Sequence, residues 1–499
     1  MIKQLLLLVS FLAALGQSYA APNDQQIAKG IQYGYDFEFK KADEAFQSVI
    51  QSHPKHPAGY FLRTGIFFWQ FLFDNENEVA AEGLRDNAEK AIDLADDWLD
   101  KTEDDPEALF YLGAAYGALG RYHLLSRNWM SALYYGNKGY KNLQKVIEKK
   151  TDYWDAYIGV GMFDYYAAAL PSFVTAFLAT DGNRSQGLDF IQRTATQGVL
   201  LRAEAQVFRA QMLLFFEEDF AGGEAVLLEF LKAYPNNFSA QHMLAYTYYK
   251  TGRIEAALKL LPKTIARAES KGFLVPSQRI RNTMAKALIL NDQFASVVTL
   301  SRSVMKKLEG TKKGRESYVY AEAYWNMCIS MAYQNQLKEA KTCFASLEDA
   351  DISTSDSAEE WLEKPFQQIH IDLKLANNQI ERLEPQKSLL TLQEIKKNMD
   401  AKAEGFSRAY LDLVHIARGR AYLASNTLER SIEQFRAVVA LEDPSDESSK
   451  DWAHLFLGQA YRRLGNKAEA RKSLKLALKT DQARIEMLAK RELAQLSST

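Results

Sequence analysis

Residues 451–482 read DWAHLFLGQAYRRLGNKAEARKSLKLALKTDQ, and their spacing decides the fold class. Apolar residues recur every three or four positions on both sides of Gly465, the pattern of two amphipathic helices joined by a tight turn. Gly458 and Ala470 are small where two antiparallel helices must touch. Tyr461, Leu474 and Ala477 fill the space against the hairpin and its neighbour. Gly465 supplies the permissive backbone of the turn.

The same register recurs along the chain. Gly30, Tyr33, Ala42, Phe46 and Pro54 carry one copy, and Leu244, Tyr248, Gly252 and Ala257 another. Tyr324, Ala340 and Phe344 fit a third; Gly419, Tyr422, Phe435 and Pro444 fit a fourth. Leu112, Gly113, Tyr116 and Gly120 begin a fifth, and Phe220 with Pro235 closes a degenerate copy at 203–236. One copy could arise by chance in an amphipathic helix, whereas several in one chain make a repeat. The spacing resembles the tetratricopeptide repeat, a helix–turn–helix unit of about 34 residues. That resemblance implies an all-α fold, a right-handed superhelical solenoid of hairpins with longer irregular helices in the N-terminal half.

The register also breaks. Residues 57–105 read as two longer helices with an aromatic run at Phe67, Phe68, Trp69, Phe71 and Phe73, and 121–150 as an extended loop or helix. The acidic, Ser-rich segment 348–360 reads as a linker, and 361–400 as helical but atypical. The expected division is a leader at 1–20, an irregular helical region at 21–190, a central repeat block at 191–352 and a C-terminal block at 353–499. Such boundaries are soft, because each repeat packs mainly on its neighbours.

Composition agrees with a globular chain. Of 499 residues, 47% are hydrophobic and 25% charged, with 26 Gly and 11 Pro, which excludes disorder and a collagen-like chain. The net charge of −2 gives no reason to expect general polyanion binding. The first twenty residues, MIKQLLLLVSFLAALGQSYA, combine Lys3, an apolar stretch and a small-x-small ending at Ala20. They read as a secretory leader cleaved after Ala20, so a periplasmic or secreted location is expected. Cys328 and Cys343 would then meet an oxidising compartment. Their spacing permits a bridge without demanding one, and two free buried thiols acting as small hydrophobes is the reading preferred here.

Residues 153–189, YWDAYIGVGMFDYYAAALPSFVTAFLATDGNRSQGLD, are unusual. Gly159, Gly161 and Phe163 precede Leu170 and Pro171, and Gly182, Arg184, Gly187 and Leu188 follow. This order resembles a stretch in inclusion-body-clearance proteins and their tetratricopeptide-repeat-39-like relatives. A buried helical hairpin is the simplest account, with glycines for close helix contact; an apolar surface for lipid is the alternative. Asp155, Asp164 and Pro171 interrupt the run, so it is not a membrane span. Arg184 is expected either to pair with Asp181 or a neighbouring carboxylate or, equally, to be solvated.

Nothing announces catalysis. The seven histidines, His53, His56, His123, His242, His370, His415 and His454, never take the i, i+4 spacing of a helical zinc site. No nucleophile elbow or phosphate-binding loop occurs, and Gly159-x-Gly161 stands in a helical pattern, the wrong context for a dinucleotide. No metal, cofactor or nucleic acid is expected. Charge is uneven: residues 74–107 are strongly acidic, while 302–315 and 462–491 are basic.

The resemblance further implies that the first helix of each repeat lines a groove that holds a partner segment. Carried over position by position, the partner-binding candidates are His242, Tyr246, Tyr249 and Lys250, then Trp325 and Tyr333, then Arg420, Gln459, Arg462 and Arg463. The family's carboxylate clamp needs a basic residue where Leu455 stands and an Asn where Gln459 stands, so a clamp is not expected. The expected function is a non-enzymatic exported scaffold for a protein or peptide; the alternative is a carrier of lipid or hydrophobic cargo.

Overall fold

The computed structural model describes residues 24–168, 178–311, 314, 317–348 and 366–498. The expected leader 1–20, the apolar stretch around Pro171, the lysines of the 302–315 patch beyond Lys307 and nearly all of the 348–360 segment lie outside these residues. The described residues form 23 α-helices and no strand. They divide into two compact units, Met1–Thr247 with Lys263–Ser277, and Tyr248–Pro262 with Gln278–Thr499.

The first unit runs through α1 (Asp24–Tyr35), α2 (Phe39–Ser52), α3 (Ala58–Phe73), α4 (Glu78–Leu99), α5 (Pro106–Leu125), α6 (Trp129–Lys149), α7 (Tyr157–Ala167), α8 (Arg184–Gln197), α9 (Arg202–Gln211) and α10 (Phe220–Ala233). The boundary between units passes through α11 (Phe238–Lys250), α12 (Ile254–Ser270) and α13 (Leu274–Leu290). The second unit continues with α14 (Phe294–Leu308), α15 (Tyr318–Tyr333), α16 (Leu337–Glu348), α17 (Gln368–Glu381), α18 (Pro385–Asp400), α19 (Leu411–Ala424), α20 (Leu428–Val439), α21 (Ser449–Arg463), α22 (Lys467–Ala477) and α23 (Ala483–Ser498). Residues 121–150 therefore belong to two long helices, and 361–400 holds a hairpin of its own.

Consecutive helices pack on one another within each unit. The contact that closes a hairpin is repeated: Gly30 receives the Phe46 ring, Gly419 the Phe435 ring and Gly458 the Leu474 side chain, each sixteen residues further on. A methyl at any of these glycines would overlap its partner. Phe435 and Leu474 are fully buried, and Phe46 nearly so. Turns close through single left-handed residues, among them Gly252, Asp292, Asn335, Asn426 and Gly465. Helix starts are capped by Asn77, Asp105, Asn128, Asn183, Asp219, Ser317 and Asn466, each accepting a backbone N–H, worth about 1 kcal/mol apiece.

Phe37 is also left-handed, at φ 56°, which for such a side chain costs about 1–2 kcal/mol. Its buried ring meets Phe39, Trp69, Phe73, Phe238 and Phe273 at 4.4–5.9 Å between centroids. Ring pairs contribute about 0.5–1.5 kcal/mol each beyond their burial, so the cluster outweighs the backbone strain. The aromatic run of α3 is thereby divided. Trp69 and Phe73 join this cluster, Phe71 packs on Tyr122, and Phe68 lies under the Arg121 guanidinium.

The unusual segment folds as α7 and α8. Gly161 and Gly187 place each other's backbones in contact, and Gly159 makes room for Leu143. Gly182, at φ 79°, sits against the backbone of Ala168 and Asp164 where a Cβ has no space. Asp155 is buried and accepts N–H bonds from Val199 and Leu201 at 3.0 and 2.8 Å. Arg184 pairs with Glu217 at 2.7 Å. No described helix is long and apolar enough to cross a membrane.

The cysteines require a correction. Cys328 on α15 and Cys343 on α16 are not free thiols but a disulfide, their Cα atoms 5.4 Å apart. The two helices face each other at this level, which spacing alone could not establish.

Two outcomes follow from these contacts. Gly419→Val should destabilise the protein by about 1–3 kcal/mol through overpacking against Phe435, read from the urea midpoint of the second unit. Cys343→Ser should lose about 3 kcal/mol of loop-closure stabilisation for a separation of 15 residues, seen as faster hydrogen exchange in α15 and α16.

Candidate functional site

The first unit contains a half-open cavity of about 660 Å³. Its wall is apolar, with Ile66, Phe110, Leu133, Leu143, Ile158 and Met162 among its members. Three glycines in the wall, Gly34, Gly65 and Gly117, differ from the hairpin glycines: a Cβ at any of them would meet nothing within 4 Å. They enlarge a space where the others permit a contact. The charged groups of the wall are hydrogen-bonded in place. Glu204 accepts a hydrogen bond from the Tyr35 hydroxyl at 2.7 Å and one from Arg121 at 3.0 Å, while Arg121 lies between the Phe68 and Phe208 rings at 3.9 and 4.6 Å. Burial, followed by the Glu204 charge, raises the Tyr35 hydroxyl well above its ordinary pKa, so it remains a donor.

A second feature of this unit is an exposed strip of rings. The end of the α9 rod widens into a π-helical turn, Met212–Phe216, which leaves Phe215 and Phe216 49% and 51% exposed. Phe215 packs on Tyr246 at 5.3 Å, and Phe216 on Tyr166 at 6.1 Å.

Of the sequence candidates, only Tyr246 belongs to this strip. His242 and Tyr249 are half-buried on the same helix α11, and Lys250 is exposed at its end. Trp325 packs on Phe344 within the disulfide-linked hairpin. Tyr333 sits between Phe294 and Phe366, and burial drives its hydroxyl pKa far upward. The four C-terminal candidates link alternate helices, the first helices of neighbouring hairpins. Arg420 bonds Asn377 and Glu381 at 2.7 and 2.5 Å, and Arg463 donates to the Leu423 carbonyl at 3.1 Å. Gln459 and Arg462 converge on the buried Glu492 at 3.1 and 2.7 Å. Leu455 is fully buried.

Sequence reasoning missed Phe215, Phe216 and the open glycines. The signals were present: adjacent phenylalanines before Glu217-Glu218-Asp219, and glycines inside apolar helices, where each costs about 1 kcal/mol relative to Ala. Among the described residues, no group of three or more His, Cys, Asp or Glu side chains could hold a metal.

Two tetratricopeptide-repeat family models match the sequence, one over residues 238–271 and one over 416–484. Solved structures similar along the chain include the human IFIT1 dimer with PPP-AAAA, at 14% identity, covering 93% of this chain and 96% of that one, with a TM-score of 0.32. The APC/C hetero-tetramer Cut9–Hcn1 matches at 10% identity over 95% and 97% of the two chains, TM-score 0.27. The P58(IPK) TPR domain matches at 13% identity over 89% and 99%, TM-score 0.20. These superpositions are loose. No curated protein matches the sequence.

Next to Tyr333, the start of α17 carries a pH-sensitive cap. The Gln367 N–H donates to His370 Nδ1 at 2.9 Å, and the imidazole is packed between Phe366 and Tyr410. Burial holds its pKa below the ordinary 6.5. The neutral ring therefore contributes stability that is complete above about 6.5 and is lost as the pH falls through the lower folded-state value. The urea midpoint of the second unit should drop over that window, and His370→Asn should flatten the drop.

Proposed function

We propose that this chain, a member of the tetratricopeptide-repeat superfamily, is an exported interaction scaffold that holds an apolar segment of a protein partner in the cell envelope. The observation that carries this reading is the ring strip of Tyr166, Phe216, Phe215 and Tyr246, whose two phenylalanines the π turn exposes to solvent. Large amphipathic rings are the usual anchors of such contacts, because they bury much area for few rotatable bonds. The C-terminal arginines contribute differently: committed to Glu381, Glu492 and a carbonyl, they stiffen the frame that presents a binding face. The leader-like first twenty residues and the Cys328–Cys343 disulfide support a location outside the cytoplasm. The scaffold acts by holding its partner, with no bond chemistry assigned to it.

A second reading, carriage of hydrophobic cargo, is favoured by the cavity of the first unit.

A photo-crosslinking amino acid at position 215 should trap one recurrent envelope protein. The pair Phe216→Ala and Tyr246→Ala should cut that yield by roughly tenfold or more. Undiminished capture by a folded double variant would remove the strip from the binding site.

A further inference from the structure

We propose that the cavity of the first unit takes up the fatty-acyl chain of a membrane lipid, drawn from a bilayer that the α5–α6 turn touches. The inference rests on the cargo reading and names the cargo. It starts from the lining. Tyr35, Thr64, Arg121, Tyr140, Asp155 and Glu204 are already hydrogen-bonded within the protein. A peptide backbone in this space would bring N–H and C=O groups whose burial without partners costs several kcal/mol. A hydrocarbon chain brings none. A free carboxylate or phosphate would find Arg121 already held by Glu204, so the headgroup stays outside.

The open glycines point the same way. Gly34 on α1, Gly65 on α3 and Gly117 on α5 each forgo the helix-stabilising methyl although nothing stands in its way. Their common effect is a wider apolar cavity, whose 660 Å³ lies within the range of small-molecule sites, about 300–1,000 Å³.

The mouth supplies the source. Leu124 and Trp129 line the cavity and also reach solvent, 44% and 61% exposed. Between and beside them the turn exposes Leu125, Arg127 and Met130, the last 78% exposed. Trp and Leu beside a single Arg are the side chains that settle at a membrane interface, ring and alkyl groups inward and cation outward. The cavity wall is thus continuous with a surface suited to a bilayer.

The full chain would be titrated with cis-parinaric acid in solution, and incubated with phosphatidylethanolamine/phosphatidylglycerol vesicles carrying a pyrenyl-acyl phospholipid. Wild type should bind the fatty acid and extract the phospholipid. Gly65→Leu with Gly117→Leu should weaken both by roughly tenfold or more, and the milder Gly65→Ala with Gly117→Ala by less, with helicity retained. Leu125→Ser with Met130→Ser, both outside the cavity lining, should slow extraction from vesicles while leaving parinaric acid binding intact. Parinaric acid bound equally by the glycine-filled variants, or extraction indifferent to Leu125 and Met130, would overturn the proposal. Aminoanthracene separates the two levels of the argument. If wild type binds it in a glycine-sensitive way but binds no acyl probe, the acyl assignment fails and the cargo reading stands; if neither probe binds, both fail.

Discussion

A large side chain of one helix seated on a glycine of its predecessor is the contact on which the hairpins depend. Phe46 on Gly30, Phe435 on Gly419 and Leu474 on Gly458 bring two helices together at a distance that no Cβ permits. The glycine costs about 1 kcal/mol of helix propensity; the buried ring or leucine returns about 1.5–3 kcal/mol. The close approach is therefore favourable, and it recurs at a fixed separation because two helices and their turn must return the chain to the same level.

Once hairpins exist, polar side chains tie each to the next. In the second unit Asn282 donates to the Val319 carbonyl and to Glu322, and Asn378 to the Ile289 carbonyl and Asp292. Arg420, Arg463 and Arg462 continue the series on later helices. Individually exposed ion pairs contribute little, but Asn282, Asn378 and Glu492 are buried, where an unmade bond would cost about 1–3 kcal/mol. These linkages fix register between hairpins that apolar packing alone would leave free to slide. They also explain why side chains at partner-facing positions of the repeat serve the frame here: a guanidinium on a first helix is within reach of a neighbouring hairpin's carboxylate before any partner arrives.

The first unit uses the same elements for a different end. There, glycine serves both to close a contact, as at Gly161 and Gly187, and to leave a space, as at Gly34, Gly65 and Gly117. The aromatic run of α3 is divided among a ring cluster, a helix contact and the cavity wall, which relieves one sequence of serving a single purpose. Phe37 shows how firmly the cluster is built, since it holds a left-handed backbone that its residue type disfavours.

The sequence alone determined the all-α class, the hairpin and the turns, because helix period, small residues at contacts and left-handed turn residues are local properties that Gly458, Ala470 and Gly465 express within one repeat. For Gly159 and Gly161 it offered close helix contact as one use and an apolar lipid-facing surface as the other. Only the tertiary structure joined Cys328 to Cys343, because a bridge depends on which faces of two helices meet. It alone separated open from closed glycines, which are identical in sequence and differ only in what stands opposite. It alone exposed Phe215 and Phe216, through a π turn that no periodicity announces, and it turned Arg462 and Gln459 toward Glu492. Each of these depends on the relative placement of distant helices, a property of the packed chain and not of any single stretch of it.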